Sequence, residues 1–264
     1  MRYERLKHLE RHLPAGLRDP LRRRWRSVLG DPEHHVATAL SDPTRISVDI
    51  GAGTGGFAEV LSRASTRCEA FEANPANWPH LRVNVTGFDV HVNECALSDQ
   101  DGEVILRVPV VGEGEALPLA TIESHNALNG VDVHMVDIPC RRLDGLDLEP
   151  VGFMKIDVEG HEEAVLRGSA AILERDKPNL LIEIEERHRA GAVQDVIGYL
   201  TDFGYHTYFL LGRHLKPISA FDPSVHQDPN SIEFTDVRPG HVYVNNFVFV
   251  TRVDALDGLT DRRL

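Results

Sequence analysis

From residue 46 onward the apolar positions fall into short, nearly continuous runs separated by segments with helical spacing. ISVDI (46–50) leads into a glycine loop and a predicted helix over 56–64, and RCEAF carries a second strand to Glu72. A helix over about 76–86 then leads to the strand DVHVN at 89–93. Runs apolar at almost every position suit strands covered on both faces, and their alternation with helices predicts the βαβαβ half of a doubly wound sheet. The pattern resumes with a strand at 152–157, a helix over about 160–174, the strand NLLIEIE at 179–185, a helix over about 190–203 and the strand YHTYFLL at 205–211. VYVNNFVFV at 242–250 supplies the last strand. Between the halves, GEVILRV (102–108) and DVHMVDIPC (132–140) predict extra strands joined by a loop rich in Gly, Glu and Ala, an insertion placed to face substrate. Residues 212–240, with Pro217, Pro223, Pro229 and Pro239, predict a long loop and a candidate lid.

Ahead of this core, residues 2–13 and 17–29 have apolar positions at helical spacing, with Pro14 and Gly16 between them. The expected organisation is a helical arm over 1–45, one α/β domain over 46–252 and a short tail over 253–264. Charge divides along the same line. Eight Arg and one Lys stand against three acids in residues 1–30, so the first thirty carry +6 and the remainder −19 of the overall −13. An acidic body repels a phosphate backbone, which argues against nucleic acid as substrate. The basic arm is either a solvated helical face or a docking surface, for an acidic partner, a membrane surface or a second copy of the chain. No apolar stretch approaches the roughly 18 residues of a membrane span. Three widely spaced cysteines without a CxxC fit neither a disulfide framework nor a zinc site, and a cytoplasmic location is expected.

VDIGAGTGGF (48–57) sets Gly51, Gly53 and Gly56 in GxGxxG order directly after a strand, and Glu72 closes the next strand. Glycines there let the backbone approach a ligand, and the acid can accept from both ribose hydroxyls. NAD and S-adenosylmethionine both fit. Asp49, two residues before the first glycine, disfavours a dinucleotide because its fixed charge would meet the phosphates. A sulfonium cofactor tolerates it: Asp49 either holds the cofactor's ammonium, directly or through water, or caps amides of the loop.

The VDIGAGTGG loop, the FEANP strand end, ALSDQDGEV at 96–104, Arg142-Leu143-Asp144 and above all MKIDVEGHEEAVLRG from residue 154 together resemble the FkbM-type methyltransferases. The resemblance runs from about residue 46 to 250. It implies a class I, Rossmann-like fold with a mostly parallel sheet of seven strands and helices on both faces, binding S-adenosylmethionine. The reaction implied is methyl transfer to a hydroxyl of a small molecule, a sugar moiety or a secondary-metabolite intermediate. Carried onto this chain, Asp49, Gly51 and Gly53 line the methionine side, Glu72 the ribose, and Ala96 and Asp99 the adenine. Asp99 could equally close a turn with Gly102.

Displacement at a sulfonium needs an oxygen about 3 Å from the methyl carbon and, for an alcohol, a base. Asp157, at the end of the fourth main strand, is the first candidate. His161, at the start of the following helix, is the second, since imidazole titrates near neutrality. Each could instead be an ordinary first-turn residue of that helix. Glu183 adds a carboxylate at the same sheet edge and with Asp157 could form a divalent-metal site, though no full ligand set is visible. Pro139-Cys140 precedes the fourth strand instead of ending it, unlike the nucleophile of cytosine methyltransferases. Two other function classes remain open at this point: a nicotinamide oxidoreductase on the same glycine loop, and a non-catalytic binding module.

Overall fold

The computed structural model describes residues 31–111, 114–115, 120–123, 132–233, 236–257 and 259. The arm helices expected over 2–13 and 17–29 lie outside the described residues. The strands are β1 (Ile46–Ile50), β2 (Cys68–Phe71), β3 (Val90–Asn93), β4 (Ala96–Leu97), β5 (Gly102–Val111), β6 (Gly114–Glu115) and β7 (Asp132–Arg141), then β8 (Val151–Ile156), β9 (Asn179–Glu183), β10 (His206–Leu211), β11 (His214–Pro217), β12 (Ile232–Glu233), β13 (Asp236–Val237) and β14 (Asn246–Val250). The helices are α1 (Pro32–Leu40), α2 (Gly56–Ala64), α3 (Trp78–Asn84), α4 (Glu162–Arg167), α5 (Ala170–Asp176), α6 (Ala192–Asp202) and α7 (Pro223–His226).

Eight strands form the central sheet in the order β11-β10-β14-β9-β8-β1-β2-β3. From β3 to β9 the neighbours are parallel, whereas β14 runs antiparallel to both β9 and β10. The chain moves outward from β1 to β3, then returns to place β8 on the other side of β1. That reversal opens a crevice beyond the carboxyl ends of β1 and β8, where doubly wound sheets bind ligands.

The eighth strand corrects the seven expected. Part of the segment predicted as loop over 212–240 folds back as β11 onto β10, pairing Leu211 with His214 through Tyr208 with Pro217. HLKP carries little strand signal because an edge strand has one unpaired side and tolerates Pro217 at its end. The helix expected over 160–174 is two helices, broken at Gly168-Ser169. At Gly168 the backbone presses against the Ser98 carbonyl, where a Cβ would lie 1.9 Å from its oxygen. The predicted extra strands pair with each other as a long antiparallel ribbon, Gly102 opposite Cys140 through Val110 opposite Asp132. With β4 and β6 they form a second sheet over its own small core of Ala96, Leu106, Val108, Ile138 and Cys140.

Strand alternation divides the main core. Val48, Met154, Ile156, Leu180 and Ile182 pack with Val165, Leu166, Ile172 and Val196 of α4 to α6 on one face. Phe153, Leu181, Val248 and Val250 pack with Ala58 and Leu61 of α2 and with Val36, Ala37 and Leu40 of α1 on the other. Helix α1 is capped by Asp31, whose side chain accepts from Glu33 N, with Pro32 in its first turn. Leu256 and Leu259 join the same face. Among the described residues no helix is long and apolar enough to cross a membrane.

Candidate active site

The glycine loop leaves β1 with Gly51 at φ +78° and Gly53 at φ +54°, conformations that side chains disfavour. Gly51 has a second constraint. A Cβ there would sit 1.8 Å from the carbonyl oxygen of Asp157, whose own N–H donates to Ile50 O at 2.9 Å. The loop is thus seated directly against the end of β8. Gly53 faces open space, and its N–H donates to Glu72 Oε2 at 2.6 Å.

A cavity of about 590 Å³ opens beyond these strand ends. Gly51, Gly53, Glu72, Asn74 and Asn77 line one side, and Asp157, Glu159, His161 and Glu183 line the other. Cys95, Ala96 and Leu97 form part of the wall, and Ala120, Thr121 and Ile122 of the insertion contribute to it. Four carboxylates and no Lys or Arg line the cavity among the described residues.

On the first side Glu72 is held from three directions, accepting from Gly53 N, Asn74 N (2.7 Å) and Asn77 Nδ2 (3.2 Å). Its pKa is raised, because burial outweighs those hydrogen bonds. Ala96 lines the cavity as expected, but Asp99 does not: it is exposed beyond β4, where its Oδ1 accepts from the Ser98 hydroxyl. Asp49 is also absent from the wall. Fully buried beneath the loop, it accepts from the Ala58 amide of α2, while its Oδ2 has no hydrogen-bond partner among the described residues. Burial raises the Asp49 pKa to about 7, with Lys155 opposing the rise.

The other side centres on a residue that sequence reasoning missed. Lys155 follows Phe153 and precedes Asp157 on the face covered by α1 and α2, and its side chain is 2% exposed. Its Nζ lies 3.3 Å from Asp157 Oδ2, donates to Ile156 O at 3.3 Å and stands 5.2 Å from the Phe57 ring centroid. Burial works against the ammonium, but Asp157, Glu183, Asp49 and Glu33 outweigh it and raise the lysine's pKa. Glu183 accepts from Asn245 Nδ2, and its pKa is pushed well up by burial and then by the Asp157 charge. The signal was present, since a charged residue inside a strand buried on both faces has to be paired.

His161 and Asp157 share the cavity but differ in engagement. His161 Nδ1 is bonded to Glu123 Oε1 at 2.5 Å, and its Nε2 is bonded to Ser98 Oγ at 2.8 Å. Both ring nitrogens therefore tie the insertion and the β4 end to α4. Asp157 keeps a side chain 35% exposed at the wall.

Where sequence allowed a divalent ion between Asp157 and Glu183, the Lys155 ammonium lies 3.3 Å from Asp157 Oδ2. Glu159, Glu185 and His188 bring one ligand atom each within 4.8 Å. That group is closed by ion pairs, with His188 Nε2 at 2.7 Å from Glu159 Oε2, and Arg187 and Tyr243 both on Glu185. Burial disfavours a charged ring, but Glu159 and Glu185 overcome it and raise the His188 pKa to about 9. Glu159 itself has φ +52°, and the Thr121 hydroxyl donates to its carbonyl at 2.8 Å.

The methyltransferase FkbM domain model matches residues 49–207. A search of curated proteins gives no match. Among solved structures, a methyltransferase FkbM from Methylobacillus flagellatus KT is 18% identical with a TM-score of 0.50. The alignment covers 83% of this chain and 50% of that one, so the chain spans half the length of that relative. A precorrin-6y C5,15-methyltransferase from Geobacter metallireducens GS-15 is 15% identical, covering 83% and 86% of the two chains, with a TM-score of 0.45. Fibrillarin from Aeropyrum pernix, solved with natively bound S-adenosyl-L-methionine, is 13% identical over 80% and 68%, with a TM-score of 0.42.

Proposed function

The chain belongs to the methyltransferase FkbM domain family, and we propose that it transfers a methyl group from S-adenosylmethionine to a hydroxyl of a small molecule, a sugar moiety or a secondary-metabolite intermediate. The observation that carries this reading is the seating of Gly51 against Asp157 in one cavity. It sets the cofactor loop and an acceptor-side carboxylate in backbone contact, as a displacement between two bound partners needs.

The residues fit the cofactor. Gly53 faces open space where a ligand can approach the backbone, Glu72 is placed for ribose hydroxyls, and the unsatisfied Asp49 Oδ2 beneath the loop suits an ammonium reached through water. When bound, the cofactor supplies an electrophilic methyl carbon on a cationic sulfur. The carboxylate-rich wall is unfavourable to phosphate-bearing acceptors and suits hydroxyl groups, each of which can donate to a carboxylate. Asp157 takes the acceptor hydroxyl's proton. His161 orders the insertion over the cavity through Glu123 and Ser98. Nucleic acid has no part in this reading, given the −19 of residues 31–264. The three buried free cysteines suit a reducing compartment such as the cytosol.

Titration calorimetry with S-adenosylmethionine and its demethylated product tests the first half, and no binding at millimolar ligand overturns it. Incubation with methyl-labelled cofactor and a panel of neutral, cationic and phosphorylated polyols tests the second. The label should appear as an ether on a neutral or cationic acceptor, and label on a carboxyl or ring nitrogen overturns the hydroxyl assignment.

A further inference from the structure

A buried lysine at the hinge of two half-sites calls for a physical account. Three strands bring carboxyl groups to the face covered by α1 and α2: Asp49 from β1, Asp157 beyond β8 and Glu183 from β9. Asp49 and Lys155 are register partners on adjacent strands, and Ile156 pairs with Ile182 just before Asp157 and Glu183. From the helix side, Glu33 of α1 reaches Asn246 Nδ2 at 3.1 Å, and Asn246 Nδ2 also donates to Asn245 Oδ1 at 3.0 Å. Asn245 in turn donates to Glu183. Glu72 and Glu159 border the same group through the cavity. Lys155 is the cation whose charge Asp157, Glu183, Asp49 and Glu33 support, and the Phe57 ring of α2 lies 5.2 Å from its ammonium.

Packing alone would be better served by an apolar side chain, because burying an ammonium costs several kcal/mol before any pairing. The cost is offset only where carboxylates must themselves be kept close together. Asp157, Glu183 and Asp49 are such carboxyl groups, brought to one sheet edge by strand register, where a counter-charge offsets their mutual repulsion.

We propose that Lys155 is a positioning residue for methyl transfer, its ammonium fixing the Asp157 carboxylate at the acceptor end of the cavity. The inference rests on the reading of Asp157 as the group that takes the hydroxyl proton. It assigns to a side chain of the same strand the neutralising role that a divalent ion would otherwise fill between Asp157 and Glu183. Lys155 touches no reacting atom: among the described residues its salt bridge is to Asp157, just beyond the end of β8.

The test compares Lys155→Met, which keeps the length and apolar stem, with Lys155→Arg, which keeps the charge. Lys155→Met should lower kcat by about a hundredfold while leaving the KM for the acceptor within about threefold. Binding of the demethylated cofactor should change by no more than about tenfold, since Lys155 itself does not line the cavity. Lys155→Arg should recover most of that loss in kcat. A folded Lys155→Met with unchanged kcat, or with its loss in KM alone, overturns the proposal. So does a folded Lys155→Arg that loses as much kcat as is expected of the methionine variant, and this second arm decides if Lys155→Met does not fold. Asp157→Asn separates the two readings: activity retained there removes the base assignment itself, whatever Lys155 does.

Discussion

The two sides of the cavity are built by different means. The cofactor side comes from about thirty consecutive residues, and its working groups are largely backbone: positive-φ glycines and the amides of Gly53 and Asn74 that hold Glu72. The acceptor side gathers side chains from positions as far apart as Glu33, Asp157, Glu183 and Asn246, held by charge. Backbone recognition depends on local turn geometry and is insensitive to distant substitutions. A charge cluster depends on every strand that meets at the sheet edge, so it can be retuned residue by residue. The difference suits a common donor handled by a fixed half and acceptors handled by an adjustable one.

The junction should be the most fragile point. Gly51→Ala puts a Cβ 1.8 Å from the Asp157 carbonyl oxygen at a φ of +78°. The expected outcome is loss of turnover together with a drop of about 3 kcal/mol in denaturant-derived stability, because strain and overpacking add. A variant that keeps both would show that the halves are not mechanically joined.

Asp157→Asn breaks the acceptor side alone. A fall in kcat of about 10² to 10⁴ is expected, with affinity for the demethylated cofactor nearly unchanged. His161→Ala is the control, since both ring nitrogens are engaged structurally. Its kcat should stay within about tenfold of the parent. An equal loss in both variants would restore His161 as the base.

The acceptor side also carries a pH signature. His188 is raised to about 9 in the fold against roughly 6.5 in the unfolded chain, so the folded state holds the proton more tightly. The stabilisation from its pairs with Glu159 and Glu185 is complete below about pH 6.5 and is lost as pH rises through 9, on the order of 2 kcal/mol. Urea unfolding of the parent and of His188→Gln at pH 6 and pH 9.5 measures it. The gap between the two proteins should narrow at the higher pH, and a constant gap refutes the assignment.

The smallest effect isolates the cofactor side. Glu72→Gln retains one acceptor oxygen and forfeits the second, so the cofactor Kd should rise about tenfold, near 1.4 kcal/mol, while kcat at saturation changes little. Calorimetry and a kcat measured at high cofactor separate the two quantities. A larger loss in kcat than in affinity would mean that Glu72 serves the reaction as well as the cofactor.

Much of this was legible along the chain. Apolar runs located the main strands and α2 to within a few residues, because a strand covered on both faces has little freedom in composition. Glu72, Gly51, Gly53, Ala96, Asp157 and Glu183 line one cavity because each stands in the glycine loop or at a strand end, positions that sequence marks. Asp99 was misplaced because the turn beyond β4, set by packing against α4 and Gly168, carries it out to solvent. Asp49 sits below the wall, a matter of which way one side chain points at the end of a strand.

By itself, then, the sequence determined the alternating fold, the glycine loop and the identity of the acids at the strand ends, since these follow from local periodicity and backbone requirements. Only the tertiary structure decided the partners. That His161 is tied to Glu123 and Ser98, that Gly51 is required by the Asp157 carbonyl, and that Lys155 balances three carboxyl groups are consequences of strand order and register. Electrostatic and steric contacts of that kind act over a few ångströms of space between residues remote in sequence.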